Sequence, residues 1–259
     1  MENERLIIYG RNAVSEAFRA SRPVDVLYVL KGVKGLNALV SAAKGAGAVV
    51  KEANADKFNA LLKNEKEPRH GGVICVVSRV RYSSVGEILS VSETKREPPF
   101  IIIADGIEDP RNLGALIRSA EAAGADGIII PKRGGAPVTG AVYAASAGAA
   151  AFLKTARVTN LTDTVKELKK RGVWVYGAEA DGEPYYDADF SGGVCLVVGS
   201  EGRGLGRLVR ENCDFIVSVP LRGRVGSLNA SVCGGILMFH IAKIRDGGAG
   251  ASVAEKRVK

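Results

Sequence analysis

Four cysteines and two histidines are all the thiol and imidazole groups that this 259-residue chain has. Cys75, Cys195, Cys213 and Cys233 are scattered, no C-x-x-C pair occurs, and His70 and His240 are far apart. That spacing supports neither a zinc site nor a Cys-His nucleophile, so no metal is expected. Three of the thiols sit in apolar or small-residue runs and read as buried free cysteines, which fits a reducing, cytoplasmic compartment. No apolar run reaches the ~18 to 20 residues of a membrane span, so no membrane partner is expected. The start, MENERLIIYG, is acidic and polar, unlike a signal or transit peptide. Aromatics are only 6% of the residues, which disfavours a stacking platform for long single strands and favours recognition through backbone and shape.

What the chain does have is apolar residues, 46% of the total, enough for one large or two modest domains. Its net charge of +8 points toward an anionic partner, because a basic surface attracts phosphate backbones through its field and counterion release. The most organised stretch runs from Val194 to Met238. Val194–Val198 and Phe215–Val219 are short apolar runs of the buried parallel-strand type, each closed abruptly, by Gly-Ser-Glu-Gly and by Pro220. A helix then begins at Ser227-Leu228-Asn229, with Leu228, Val232, Ile236 and Phe239 at helical spacing. A dinucleotide fold fails on the glycines: Gly202, Gly204 and Gly206 read G-x-G-x-G, and Val209 stands where the third fingerprint glycine belongs. No G-x-x-x-x-G-K-[ST] phosphate loop occurs.

Strand and helix patterns alternate throughout. Strands are expected at Leu6–Tyr9, Val26–Leu30, Ala48–Val50 and Val73–Val77, and helices around Ala13–Phe18, Leu36–Lys44 and Lys57–Leu62, which makes residues 1–80 a small α/β domain. The charged, proline-paired SETKREPP places a linker over 81–98. Residues 99–246 form a second domain with strands at Phe100–Ala104, Gly127–Ile130 and Val173–Ala178 beside the two already named. Helices are expected over Leu113–Ala123, ended by Gly124, and over Leu161–Arg171. A β-α-β series of this kind implies a mostly parallel sheet. Residues 247–259 read as a flexible basic tail.

Three segments then carry a resemblance. DPRNLGALIRSAEAAGADGIIIP, GSEGRGL and VPLRGRVGSLNASVCGGI resemble the three signature motifs of the SpoU, or TrmH-type, branch of the SPOUT RNA ribose methyltransferases. IYGRNAVSEAFRA and RHGGVICVV resemble the N-terminal substrate-binding domain of RlmB-type 23S rRNA 2′-O-methyltransferases. The resemblance implies a SPOUT-type parallel sheet with a C-terminal trefoil knot and a small N-terminal α/β RNA-binding domain. It implies an obligate homodimer with the site completed across the interface, S-adenosylmethionine as methyl donor, and 2′-O-methylation of a guanosine ribose in 23S rRNA. The same motifs fit the same reaction on tRNA or another rRNA nucleotide. A non-catalytic RNA-binding protein is the reading outside enzymology. SLNASVCGG departs from the family's commoner valine and alanine at Ala230 and Cys233, a packing difference.

Ribose methylation needs an in-line geometry and help for a weakly nucleophilic hydroxyl, so positioning groups and a local positive field are the features to seek. Asn112 lies just before the expected start of its helix, where its simplest role is an N-cap; by resemblance it orients the ribose or the donor. Arg118 projects away from the core face Leu113, Leu116, Ile117 and Ala120. The resemblance makes it an anchor for RNA phosphate, and a guanidinium that stays protonated suits field stabilisation better than base catalysis. Glu201 is either a loop carboxylate capping the Arg203–Arg210 segment or, by resemblance, a shaper of the pocket; Ser227 and Asn229 either cap the last helix or face the donor. Ala178, Gly199, Gly202, Val219, Leu221, Ser227 and Leu228 form the expected donor pocket. Arg11, Arg69, His70 and Arg118 are the expected RNA contacts.

Overall fold

The computed structural model describes residues 6–20, 24–63, 65, 68–77 and 82–248. The N-terminal part runs β1 (Leu6–Tyr9), α1 (Arg11–Arg19), β2 (Val24–Leu30), α2 (Asn37–Gly45), β3 (Val49–Ala53), α3 (Ala55–Leu61) and β4 (Val73–Val77). Its sheet has the order β1-β4-β2-β3, with β4 antiparallel to both neighbours and β2 parallel to β3. The uninterrupted VICVV of β4 is explained by its place: it is an interior strand, buried at all five positions.

The larger part runs α4 (Val85–Lys95), β5 (Phe100–Asp105), α5 (Pro110–Ala122), β6 (Gly127–Pro131), α6 (Gly140–Ala145), a single 3-10 turn (Ala149–Ala151), β7 (Lys154–Val158) and α7 (Leu161–Lys170). It continues with β8 (Trp174–Pro184), β9 (Val194–Gly199), α8 (Arg207–Asn212), β10 (Phe215–Ser218) and α9 (Ala230–Gly248). The strands lie in the order β10-β8-β9-β5-β6-β7, and every neighbouring pair is parallel. Central β5 and β9, FIIIA and VCLVV, are apolar at every position because helices cover both faces of the sheet. One face packs Ile102, Leu196 and Val198 with α5 and α9, and the other packs Ile101, Ile103 and Val197 with α4 and α7.

Three sequence expectations change. The linker over 81–98 contains a helix: Ser84 and Glu87 form a reciprocal capping box, and Ile88 and Leu89 are buried against the sheet. Lys95 then pairs at 2.7 Å with buried Asp126, whose other oxygen accepts the Phe100 amide at 2.8 Å, so polar SETKREPP closes a packed helix. Asn112 is no N-cap. Asp109 accepts the Arg111 amide at 2.7 Å with Pro110 in the first turn, which places Asn112 inside α5. Glu201 does not cap α8, whose N-cap is Gly206. On α9, the apolar series Val232, Ile236 and Phe239 is 50%, 37% and 52% exposed, while Leu237, Met238 and Ile241 form the buried stripe. Strand β7 and helix α6 were not anticipated, since alanine and glycine dominate 140–151 and leave no periodic signal. Of the expected tail, Gly247 and Gly248 end α9, and 249–259 lie outside the described residues. No helix among the described residues is long and apolar enough to cross a membrane.

The two parts share one apolar cluster, in which Ile8, Ala13 and Val14 join Val142, Tyr143 and Ala149. Two glycines permit the approach. A Cβ on Gly140 would lie 1.9 Å from the Ile7 carbonyl oxygen, and one on Gly148 2.2 Å from Cβ of Glu16.

Candidate active site

A doubly covered parallel sheet places its ligand beyond the carboxyl ends of its strands. Here the chain leaves β9 at Gly199, departs from the β8 pairing after Ala178, and leaves β10 after Ser218. These three exits enclose a cavity of about 540 Å³. Ala178, Gly199, Gly202, Val219, Leu221, Ser227 and Leu228 all line it, so the structure brings the whole expected donor set together.

The loop after β9 is held by its own backbone and by two carboxylates. Ser200 and Gly204 exchange amide-to-carbonyl bonds at 3.2 and 2.9 Å. Gly204 has φ +64 and a Cβ there would lie 2.5 Å from Glu179 Oε1, so any other residue strains the backbone and displaces the Glu179 carboxylate. Glu179 accepts the Leu205 amide at 2.6 Å, and Asp105, at the end of β5, accepts the Gly206 amide at 2.7 Å. Sequence reasoning missed both carboxylates; the available signal was an acidic residue directly after an apolar strand run, AD at 104–105 and AE at 178–179.

Beside the pocket mouth three side chains interlock. Asn229 Nδ2 donates to Asn112 Oδ1 at 3.0 Å and also to Glu201 Oε1. Asn112 Nδ2 donates to the same Glu201 oxygen at 3.2 Å, as does the Ala230 amide at 3.4 Å. Asn229 meanwhile caps α9, its Oδ1 accepting the Ser231 and Val232 amides at 3.0 and 3.3 Å. One end of the Asn229 amide thus caps α9 while the other end joins the cluster. Gly234 brings α9 close enough to α5 that a Cβ would meet Leu116 at 2.6 Å, and this approach lets the three groups touch.

Arg118 is exposed on the outer face of α5, with no hydrogen-bond or ion-pair partner among the described residues. The other expected RNA contacts lie in the N-terminal domain, away from this cluster. Arg11 donates to the Gly71 and Lys34 carbonyls at 2.9 and 3.2 Å, and His70 accepts the Gly72 amide at 3.1 Å while its ring packs on Phe58. Arg69 is exposed. Burial disfavours the thiolate forms: it pushes Cys75 and Cys213 up to about 12, and burial followed by the charge of Glu179 raises Cys233, which lines the pocket. Among the described residues no group of three or more His, Cys, Asp or Glu is placed to hold a metal.

A sheet of this topology, with a backbone-lined pocket at its carboxyl edge and an amide-carboxylate cluster beside an outward arginine, is that of an RNA-modifying methylase. The model of the SpoU rRNA Methylase family matches residues 99–239, and that for RNA 2'-O ribose methyltransferase substrate binding matches residues 7–83. The chain belongs to the SpoU/TrmH family of RNA 2′-O-ribose methyltransferases. It is 38% identical over 249 residues to YacO of Bacillus subtilis, assigned to the TrmH family of tRNA/rRNA methyltransferases, covering 95% of this chain and 98% of that one. A relative from Staphylococcus haemolyticus, assigned to the same family, is 36% identical over 93% of this chain and 97% of its own length. The fold matches the SpoU methyltransferase AviRb from Streptomyces viridochromogenes in complex with AdoMet, with a TM-score of 0.78 and 24% identity over 94% of this chain and 92% of that one. It also matches an AdoMet-bound rRNA methyltransferase from Sinorhizobium meliloti, with a TM-score of 0.73 and 24% identity over 92% and 87%.

Proposed function

We propose that this chain transfers the methyl group of S-adenosylmethionine to a guanosine 2′-hydroxyl of 23S rRNA, as a cytoplasmic homodimer. The observation that carries the reading is the joining of Asn112, Glu201 and Asn229 at the mouth of a backbone-lined pocket, with Arg118 unpartnered on the same helix as Asn112. The pocket fits the donor chemically. Its walls are glycine backbone and small apolar side chains, and its charged lining is Glu179 and Glu201, with no basic side chain, which suits a ligand carrying a sulfonium. Ala178, Val219, Leu221 and Leu228 would hold the adenosine, and Gly199, Gly202 and Ser227 would offer polar groups. Bound there, S-adenosylmethionine supplies an electrophilic methyl group.

The rest of the work belongs to the chain's own side chains. Arg118 anchors a phosphate of the target nucleotide, and its fixed positive charge lowers the cost of a developing alkoxide on the ribose. Glu201 Oε1 already accepts from two side-chain amides and one backbone amide, so this oxygen orients Asn112 and Asn229 and is not the proton acceptor. Ser227 and the oriented amides fix the hydroxyl in line. Arg11, Arg69 and His70 contact RNA from the substrate-binding domain, Arg11 through a guanidinium pre-set by two carbonyls. The exposed stripe of Val232, Ile236 and Phe239 supports dimerisation along α9, and convergence of the three strand-exit loops supports the trefoil knot. Mass mapping of rRNA from a deletion strain and its parent tests the target. Loss of one 2′-O-methylguanosine from 23S rRNA is expected. Unaltered 23S rRNA with a methyl lost from tRNA would move the activity to the alternative substrate.

A further inference from the structure

Apart from the donor pocket, a cleft of about 1160 Å³ lies between the two domains. Tyr9, Arg11 and Arg69 form one wall, Asp109 and Arg111 the other, and the floor is alanine from α6 and the turn after it. Resting on the reading that the chain methylates RNA, we propose that this cleft is a second RNA site, in which Arg69 and Arg111 hold backbone phosphates flanking the target nucleotide.

Three observations carry this. Arg111 and Arg118 are seven residues apart on α5, two turns on one face, about 10 Å along the axis. One helix face therefore carries both arginines, and Arg111 directly precedes Asn112 of the side-chain cluster. Second, two of the cleft's three arginines are unpaired: Arg69 and Arg111 are exposed with no hydrogen-bond or ion-pair partner among the described residues, as is Arg118 further along α5. Arg171, Arg203, Arg207 and Arg210 all pair with carboxylates. The cleft's own acids are already engaged, Glu65 by the Tyr9 hydroxyl at 3.1 Å and Asp109 by the Arg111 amide at 2.7 Å, and Arg11 adds a third positive charge against these two. Third, the walls are fixed relative to each other, because Gly140 and Gly148 seat α6 and the turn after it on β1 and α1. A cleft of set width with a featureless alanine floor suits a sugar-phosphate backbone and offers little to read base edges.

The test uses the full chain, in vitro transcribed 23S rRNA, and the variants R69E, R111E and A141W, the last filling the floor. Each charge reversal is expected to weaken RNA binding at least tenfold and to flatten its salt dependence by about 0.7 to 0.9 in log-log slope, one phosphate contact. A141W is expected to weaken binding without changing that slope. KM for RNA rises more than kcat falls, since these contacts are made equally before and during transfer, and calorimetric affinity for S-adenosylmethionine stays at the wild-type value. Because Arg69 and Arg111 are on the surface, their variants fold and remain decisive if A141W does not. A wild type that methylates RNA beside charge-reversal variants that bind it as tightly, with the same salt slope, overturns the cleft assignment alone. A wild type that transfers no methyl group to rRNA or tRNA overturns the underlying activity as well.

Discussion

The two sides of the site differ in how complete they are. On the donor side every polar group of the Asn112-Glu201-Asn229 cluster that is fixed in place is fixed by another, and Glu179 and Asp105 brace the loop behind it. On the RNA side the charged groups reach outward: Arg69, Arg111 and Arg118 are exposed with no partner among the described residues. A small ligand that must be held in one geometry meets a preorganised pocket, which lowers the cost of ordering at the moment of reaction. A polyanion meets charges that gain most from release of its counterions. Rate should therefore depend steeply on the first region and salt-sensitively on the second.

The sharpest break between the two is Arg118→Ala. Methyl transfer is expected to fall by roughly 10²- to 10³-fold, the scale of losing one charge-stabilising group, while calorimetric donor affinity stays near wild type; unchanged turnover would remove Arg118 from the mechanism. Asn229→Ala acts on the donor side and should reduce both donor affinity and rate, by about 10²-fold in rate. An effect on thermal stability alone would leave Asn229 only its capping role. Gly204→Ala forces a non-glycine residue to φ +64 against Glu179 and should weaken donor binding by about tenfold through the loop, at a cost of ~1 to 2 kcal/mol seen in denaturant melts. Phe239→Asp puts a charge into the exposed α9 stripe. Sedimentation should show a monomer, and a dimer of undiminished affinity would place the interface elsewhere. The smallest effect on catalysis is that of Asp126→Ala, which removes the Lys95 ion pair and the carboxylate that accepts the Phe100 amide; a loss of about 2 kcal/mol in stability with catalysis retained would show that α4 is part of the methylase core.

Much of this was legible because the physics is local. Continuous apolar runs such as Phe100–Ala104 and Val194–Val198 have one stable use, a strand covered on both faces, and both took it. That the residues of the expected donor set would line one cavity was legible because pocket backbone is supplied by strand-exit loops, which the sequence marks with glycine. The segment 85–95 was misread because a capped helix rich in serine, threonine, glutamate and lysine resembles a linker when only composition is weighed, although Ser84 and Glu87 carried the capping signal. The helical spacing of Val232, Ile236 and Phe239 showed an apolar face on α9, and periodicity alone does not tell what covers such a face. The interdomain cleft was invisible: Arg69 and Arg111 are far apart in sequence, and their meeting depends on Gly140 and Gly148 seated against the other domain.

If the donor side is complete on its own, S-adenosylmethionine must bind the RNA-free protein. Titration calorimetry on the folded chain without RNA measures this directly, with one donor bound per chain as the expected result and the same affinity for Arg118→Ala. Binding only after RNA is added, or none to a folded sample, would contradict the account.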